Sequence, residues 1–221
     1  MTAIIFDCDG VLVDSEELSC RAWLPVLARR GVPAELPDIE VFIGRSDRDL
    51  LEHFRSLTGL ALDGDIVAER ESEYTAMARR QLQTFPGLPA VLDELVARST
   101  PMAVASSGTP GKIRFSLGHT GLDRYFTVLC STVEVPRGKP APDLFLHAAS
   151  RLGVPPGDCL VVEDSVPGIE GARAAGMKAL GFTSSHPAPV LERAGAHALF
   201  GQYSDFLAVA ASLSGPEDSD K

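Results

Sequence analysis

Asp7 and Asp9 stand one residue apart, and Gly10 follows them. Two acids this close repel each other and resist desolvation unless a cation or phosphate chemistry occupies the site. The run before them, Thr2-Ala3-Ile4-Ile5-Phe6, is apolar and partly β-branched. It reads as a buried parallel strand. Its carboxyl end would then lie on the edge where open α/β sheets bind ligands. On its own, D-x-D-G weighs no more than a strand that runs into a polar turn.

Two further apolar runs end in groups of complementary chemistry. Met102–Ala105 leads into Ser106-Ser107-Gly108-Thr109, and Asp158–Val162 leads into Glu163-Asp164-Ser165. In a parallel sheet these ends share one edge with Asp7 and Asp9. Lys139 precedes the helix between the third and fourth strands and can reach that edge. A lysine and hydroxyls suit a phosphoryl group. Clustered carboxylates suit a hard divalent cation such as Mg2+, which takes a few carboxylate oxygens and shares its shell with phosphate and water.

The elements that must position these residues follow from periodicity. Ser15-Glu16-Glu17 reads as a helix start, with Leu18, Ala22, Trp23, Val26 and Leu27 at helical spacing, Pro25 as a kink and Gly31 as the stop. Residues 32–38 read as a proline-marked loop, 39–43 as a short helix, and 49–58 and 65–82 as longer ones. Residues 15–82 thus carry no strand. From residue 88 strands and helices alternate: helices over 88–98, 112–119, 140–152, 168–176 and 203–213, and strands over 102–105, 126–130, 158–162, 177–182 and 198–200. That alternation predicts an α/β fold, a Rossmann-like doubly wound parallel sheet covered on both faces. The domain reading is a core of 1–14 plus 84–214, an inserted helical domain of 15–83, and a disordered acidic tail of 215–221.

Composition narrows the function. The chain has 221 residues, 45% of them hydrophobic, and a formal net charge of -10. An acidic chain is a poor general binder of nucleic acid or anionic membrane, but a local site can still take a small phosphorylated metabolite. Cys8, Cys20, Cys130 and Cys159 are dispersed, which fits a reducing compartment rather than a disulfide framework or zinc site. No basic leader precedes the first strand, and no apolar run approaches the roughly 18–20 residues that span a bilayer. A cytoplasmic protein, monomeric, is the expectation. Cys8 reads as packing, its side chain directed away from both acids. His147 and His186 have no metal-site spacing.

Taken together, the motifs resemble the haloacid dehalogenase superfamily of phosphotransferases over nearly the whole chain. The motifs are Asp7-Cys8-Asp9-Gly10-Val11-Leu12-Val13-Asp14-Ser15, Ser106 after its strand, Lys139 in Gly138-Lys139-Pro140-Ala141-Pro142-Asp143, and Glu163-Asp164-Ser165 with Gly168 following. The resemblance implies that Asp7 is the nucleophile that forms an aspartyl-phosphate and also a magnesium ligand. It implies that Asp9 is the general acid and base, with its carbonyl on the metal, and that Asp164 is the third ligand. Glu163 joins the metal site through a bound water or by orienting its neighbours. Ser106, the Ser107 backbone N–H and Lys139 would bind the phosphoryl group.

The block of 15–82 resembles the small helical cap of the branch that holds β-phosphoglucomutase, phosphoglycolate phosphatase and many sugar-phosphate phosphatases. Hinges are expected at the Asp14 region and at Phe85-Pro86-Gly87. Two positions depart from the mutase: Asp47 stands where it has arginine, and Ser19 where it has histidine. The segment from Val104 to Ile113 instead resembles bacterial phosphatases of sugar acids such as 6-phosphogluconate. The resemblance therefore implies a magnesium-dependent phosphatase of a small phosphorylated sugar or sugar acid. The alternatives are a phosphohexomutase and, third, a non-catalytic sugar-phosphate sensor. Arg45 or Arg70 would pair with a substrate carboxylate, and Arg48 is a further cation of the block.

Overall fold

The computed structural model describes residues 3–43 and 47–213. The chain divides into two compact units, 1–14 with 84–221, and 15–83. It crosses between them at 14/15 and 83/84.

The first unit is built on six parallel strands: β1 (Ala3–Phe6), β2 (Met102–Ser106), β3 (Val128–Ser131), β4 (Cys159–Glu163), β5 (Lys178–Phe182) and β6 (Ala198–Phe200). Their spatial order is β3-β2-β1-β4-β5-β6. The strand order reverses between β1 and β4, and such a switch point opens a crevice at the carboxyl ends. Register fixes what stands there: Phe6 pairs with Val104 on one side and with Val162 on the other. Asp7 therefore leaves the sheet beside Glu163, and its N–H donates to Val162 O at 3.0 Å.

All four residues of β1 are buried, which explains its unbroken apolar run: helices cover both faces of the sheet. On one face Ile5, Ala103, Ala105 and Val161 pack with Leu144, Phe145 and Ala148. These last three come from α8 (Asp143–Leu152). Phe6 stacks on Phe206 at 6.0 Å between ring centroids. Phe206 belongs to the last helix, α11 (Tyr203–Leu213). The remaining helices of this unit are α6 (Leu88–Ala97), α7 (Pro110–Thr120), α9 (Val166–Ala174) and α10 (Ala188–Ala194). The periodicity reading had no helix over 188–194. There Pro187 is the N-cap and Pro189 sits in the first turn, where a missing N–H costs nothing. The third strand begins at Val128 rather than Phe126, because Asp123–Tyr125 closes a 3-10 turn with Phe126 as its cap.

The second unit is helical: α1 (Glu16–Arg21), α2 (Trp23–Arg29), α3 (Leu36–Glu40), α4 (Asp47–Thr58) and α5 (Ile66–Gln81). Its core gathers Trp23, Val26, Leu27, Ile39, Leu50, Phe54, Leu62 and Ile66. The helix expected from Ser15 breaks at Ala22, upstream of Pro25. Pro25 has no N–H for Arg21 O, so the break falls where that bond would be. The stretch read as a loop contains most of α3. Glu35 and Asp38 form a reciprocal capping box, with Pro37 in the first turn. The expected disorder of 215–221 lies outside the described residues. Among the described residues no helix is long and apolar enough to cross a membrane.

Candidate active site

The end of β1 brings out the first acids. Cys8 O accepts from Leu12 N at 2.9 Å and from Val13 N at 3.1 Å, closing a tight loop after Asp9. Gly10 holds φ +72° in that loop, and a Cβ on it would lie 1.9 Å from Asp164 Oδ2. Both the turn and the close approach of β4 thus require glycine. The Cys8 thiol is buried, and burial followed by the two flanking aspartates raises its pKa well above the usual range. That makes it an inert packing group.

Lys139 reaches the same point. Its Nζ lies 2.5 Å from Asp7 Oδ1 and 2.6 Å from Glu163 Oε1, with 6% of the side chain exposed. A cis peptide links it to Pro140. Burial opposes its charge, but the carboxylates of Asp7 and Glu163 outweigh that and raise its pKa. It remains an ammonium throughout the physiological range.

Glu163, at the end of β4, is fully buried and engaged on both oxygens. Oε1 faces Lys139, while Oε2 accepts from Ser165 Oγ at 2.8 Å and from the N–H groups of Asp164 and Ser165 at 3.2 Å. Ser165 Oγ in turn accepts from Gly168 N at 3.1 Å and caps α9. The turn from β4 into α9 is thereby locked, and Asp164 is presented toward Asp7.

Oxygens of Asp7, Glu163 and Asp164 lie within 4.8 Å of one another, all three residues buried. Burial is the largest influence on Asp7 and pushes its carboxyl up to about 7; Lys139 pulls it down, and Glu163 and Asp9 add to the rise. Three buried acids facing one lysine carry excess negative charge. That donor set fits a small oxygen-seeking dication.

Ser106, fully buried at the end of β2, accepts from Gly108 N at 3.0 Å. Ser131 Oγ donates to Gly108 O at 2.6 Å, and Thr132 Oγ1 to Ser107 O at 3.1 Å. The loop that carries Ser106 and the exposed Ser107 is therefore tied to the end of β3.

Asp9 Oδ2 is bonded by Lys112 Nζ at 2.9 Å, from the first turn of α7. Lys112 lies in the segment that resembles the sugar-acid phosphatases, but no spacing predicts its pairing with Asp9, 103 residues away. The loop after β5 is a second addition. Ser185 Oγ donates to Asp164 Oδ2, Ser184 Oγ donates to Gly10 O at 2.6 Å, and His186 Nδ1 lies 2.9 Å from Asp164 O. His186 thus contacts a backbone carbonyl at the site's edge. His147 lies 3.2 Å from Glu134 Oε2. Together with Cys130 these two form another group of ligand-type atoms, but the Arg151 guanidinium stands 3.7 Å from Glu134.

In the helical unit, Arg70 donates to Ser19 O at 3.3 Å and lies 5.8 Å from the ring centroids of both Trp23 and Tyr74, while its Nε is buried without a partner. Arg48 is 78% exposed on its side chain, beside Glu52. Arg45 lies outside the described residues.

A family model for haloacid dehalogenase-like hydrolases matches residues 1–176. The chain belongs to that family. It is 34% identical to the fructose-1-phosphate phosphatase of Escherichia coli over 80% of this chain and 94% of the relative. It is 31% identical to the 6-phosphogluconate phosphatase of the same organism, over 86% of each. A haloacid dehalogenase-like protein of Agrobacterium tumefaciens superposes with a TM-score of 0.83 at 34% identity, covering 96% of this chain and 98% of that one. Some relatives are far longer: the chain spans 19% of the chloroplastic Suppressor of Quenching 1 protein of Arabidopsis thaliana, at 33% identity over 88% of this chain.

Proposed function

We propose that this haloacid dehalogenase-like hydrolase is a magnesium-dependent phosphatase of a small phosphorylated sugar or sugar acid, working through an aspartyl-phosphate on Asp7. The observation that carries this reading is the junction at the β1–β4 switch point, where one buried lysine grips Asp7 and Glu163 beside Asp164. Relatives named as phosphatases of fructose 1-phosphate and 6-phosphogluconate support the substrate class.

Asp7 Oδ attacks phosphorus in line. The bond from Asp7 to phosphorus forms as the bond to the ester oxygen breaks, and Asp9 gives that oxygen its proton. Water then attacks the phosphoryl group and breaks the bond to Asp7, and Asp9 takes a proton back from the water. Ser106 Oγ, the Ser107 N–H and Lys139 bind the phosphoryl oxygens. Asp7 and Asp164 with the Asp9 carbonyl would hold Mg2+, which when bound supplies charge neutralisation for the phosphoryl group. Glu163, already engaged on both oxygens, orients Lys139 and the turn that presents Asp164.

Residues 15–83 are the proposed cap, and substrate choice is assigned to them. Asp47 and Ser19, at positions where the mutase resemblance has arginine and histidine, favour hydrolysis over phosphoryl return to a second hydroxyl. The test is a panel of phosphosugars and phosphosugar acids with Mg2+, read both as inorganic phosphate and as interconversion of 1- and 6-phosphates. Phosphate release supports the reading. Isomerisation without phosphate release contradicts it.

A further inference from the structure

Lys112 stands where helix electrostatics disfavour it. Thr109 Oγ1 accepts from Lys112 N at 3.2 Å and caps α7, with Pro110 opening the helix. Lys112 is thus the third residue of the helix, at its positive end, where acids are favoured and a cation is repelled. What offsets that repulsion is Asp9, whose Oδ2 lies 2.9 Å from Lys112 Nζ. The pair is largely sheltered, with 14% of the lysine side chain and 19% of the aspartate exposed. Gly108 makes room for it. A Cβ built there would meet Lys112 Cδ at 3.3 Å, Ser106 Oγ at 3.4 Å and Asp9 Oδ2 at 3.8 Å. The lysine stem, the phosphate-side hydroxyl and the Asp9 carboxylate therefore converge over one bare α-carbon.

We propose that Lys112 is a positioning residue for Asp9: its ammonium fixes the carboxylate's orientation so that the acid is already aimed when the ester oxygen must be protonated. The proposal rests on the reading of Asp9 as the proton shuttle. It assigns Lys112 no contact with the phosphoryl group. Preorganised side chains of this kind matter because a proton donor must be within hydrogen-bond reach of the oxygen it serves.

The experiment compares Lys112→Met and Lys112→Arg with wild type, in the full chain with Mg2+, on two esters. One is a sugar phosphate, whose alkoxide leaving group needs a proton. The other is p-nitrophenyl phosphate, whose phenolate leaves without one; its first step is read as the burst of phenolate. Lys112→Met should lower kcat on the sugar phosphate about 100-fold, the lower range of general acid–base contributions, with KM changed less than about threefold. The burst on the aryl ester should fall far less, and Lys112→Arg should recover most of the loss. In a double-mutant cycle, Lys112→Met should add nothing on top of Asp9→Asn, since the two act as a unit. Equal losses on both esters, or losses that multiply in the cycle, would overturn the proposal. If Lys112→Met melts well below wild type, Lys112→Leu, which also lacks a donor, carries the same comparison. A wild type that shows an aryl burst and normal turnover, beside a fully active Lys112→Met, sinks Lys112 alone. A wild type that releases phosphate from neither ester removes the phosphatase reading and this role with it.

Discussion

The Nζ of Lys139 lies 2.6 Å from Glu163 Oε1, and that contact joins the phosphate side of the site to the turn that carries Asp164. The same ammonium holds Asp7 at 2.5 Å. Lys139→Ala would leave buried carboxylates uncompensated, which typically costs about 3–5 kcal/mol. The expected outcome is a large drop in melting temperature without divalent metal, partly recovered by added Mg2+, and loss of turnover. A variant as stable as wild type would contradict the assignment of this ion pair.

Gly168 tests the packing behind that contact. A Cβ there would fall 1.8 Å from Glu163 Cδ, against a carboxylate with no room to retreat. Gly168→Ala should destabilise the protein by about 3 kcal/mol, in the upper range for overpacking. Gly157→Ala is the control, since nothing lies within 4 Å of the added carbon. It should stay within about 0.5 kcal/mol of wild type by thermal or denaturant unfolding.

Asp7 links stability to pH. Its carboxyl is raised from 3.8 to about 7, chiefly by burial. A group whose folded pKa is raised binds more protons in the native state, so stability declines as pH climbs between those two values. The metal-free protein should therefore lose melting temperature from about pH 4 to pH 7, and Asp7→Asn should flatten that slope. Mg2+ should stabilise wild type more at the upper end of the window than at the lower, because only the carboxylate form takes the ion. An unchanged slope in Asp7→Asn would contradict the linkage.

Ser185 tests the loop after β5. Its hydroxyl bonds Asp164 Oδ2, so Ser185→Ala should weaken the apparent Mg2+ affinity by about 10-fold, the usual scale for a residue that orients a ligand. At saturating Mg2+, KM for the phosphate ester should hold. A loss that Mg2+ cannot rescue would place Ser185 elsewhere in the chemistry.

The sheet and most of its polar strand ends are legible in the sequence. Short, unbroken apolar runs that end in Asp7, Ser106 and Glu163 and alternate with helical stretches read as buried parallel strands by their length and polar flanks. Lys139 is legible because its motif lies immediately before a helix that packs on the sheet. Lys112, Ser184 and Ser185 are not. Each matters through a partner more than a hundred residues away or across a loop, and no local pattern names that partner. The helix over 188–194 escapes for a different reason. Its prolines are breakers by composition, yet they occupy first-turn positions where the missing N–H has no partner to lose. Arg70 shows the reverse case. It reads as a cation for a substrate carboxylate, while the fold has it donating to Ser19 O and lying near the rings of Trp23 and Tyr74.

The central claim is that Asp7 carries the phosphoryl group. Acid-quenching the enzyme during turnover of a phosphosugar with Mg2+, then mapping peptides by mass, tests it directly. One added phosphoryl group on the peptide that contains Asp7, absent from Asp7→Asn together with turnover, is the expected result. Asp7→Asn protein that hydrolyses the ester at near wild-type rate, or label found only elsewhere in the chain, would contradict it.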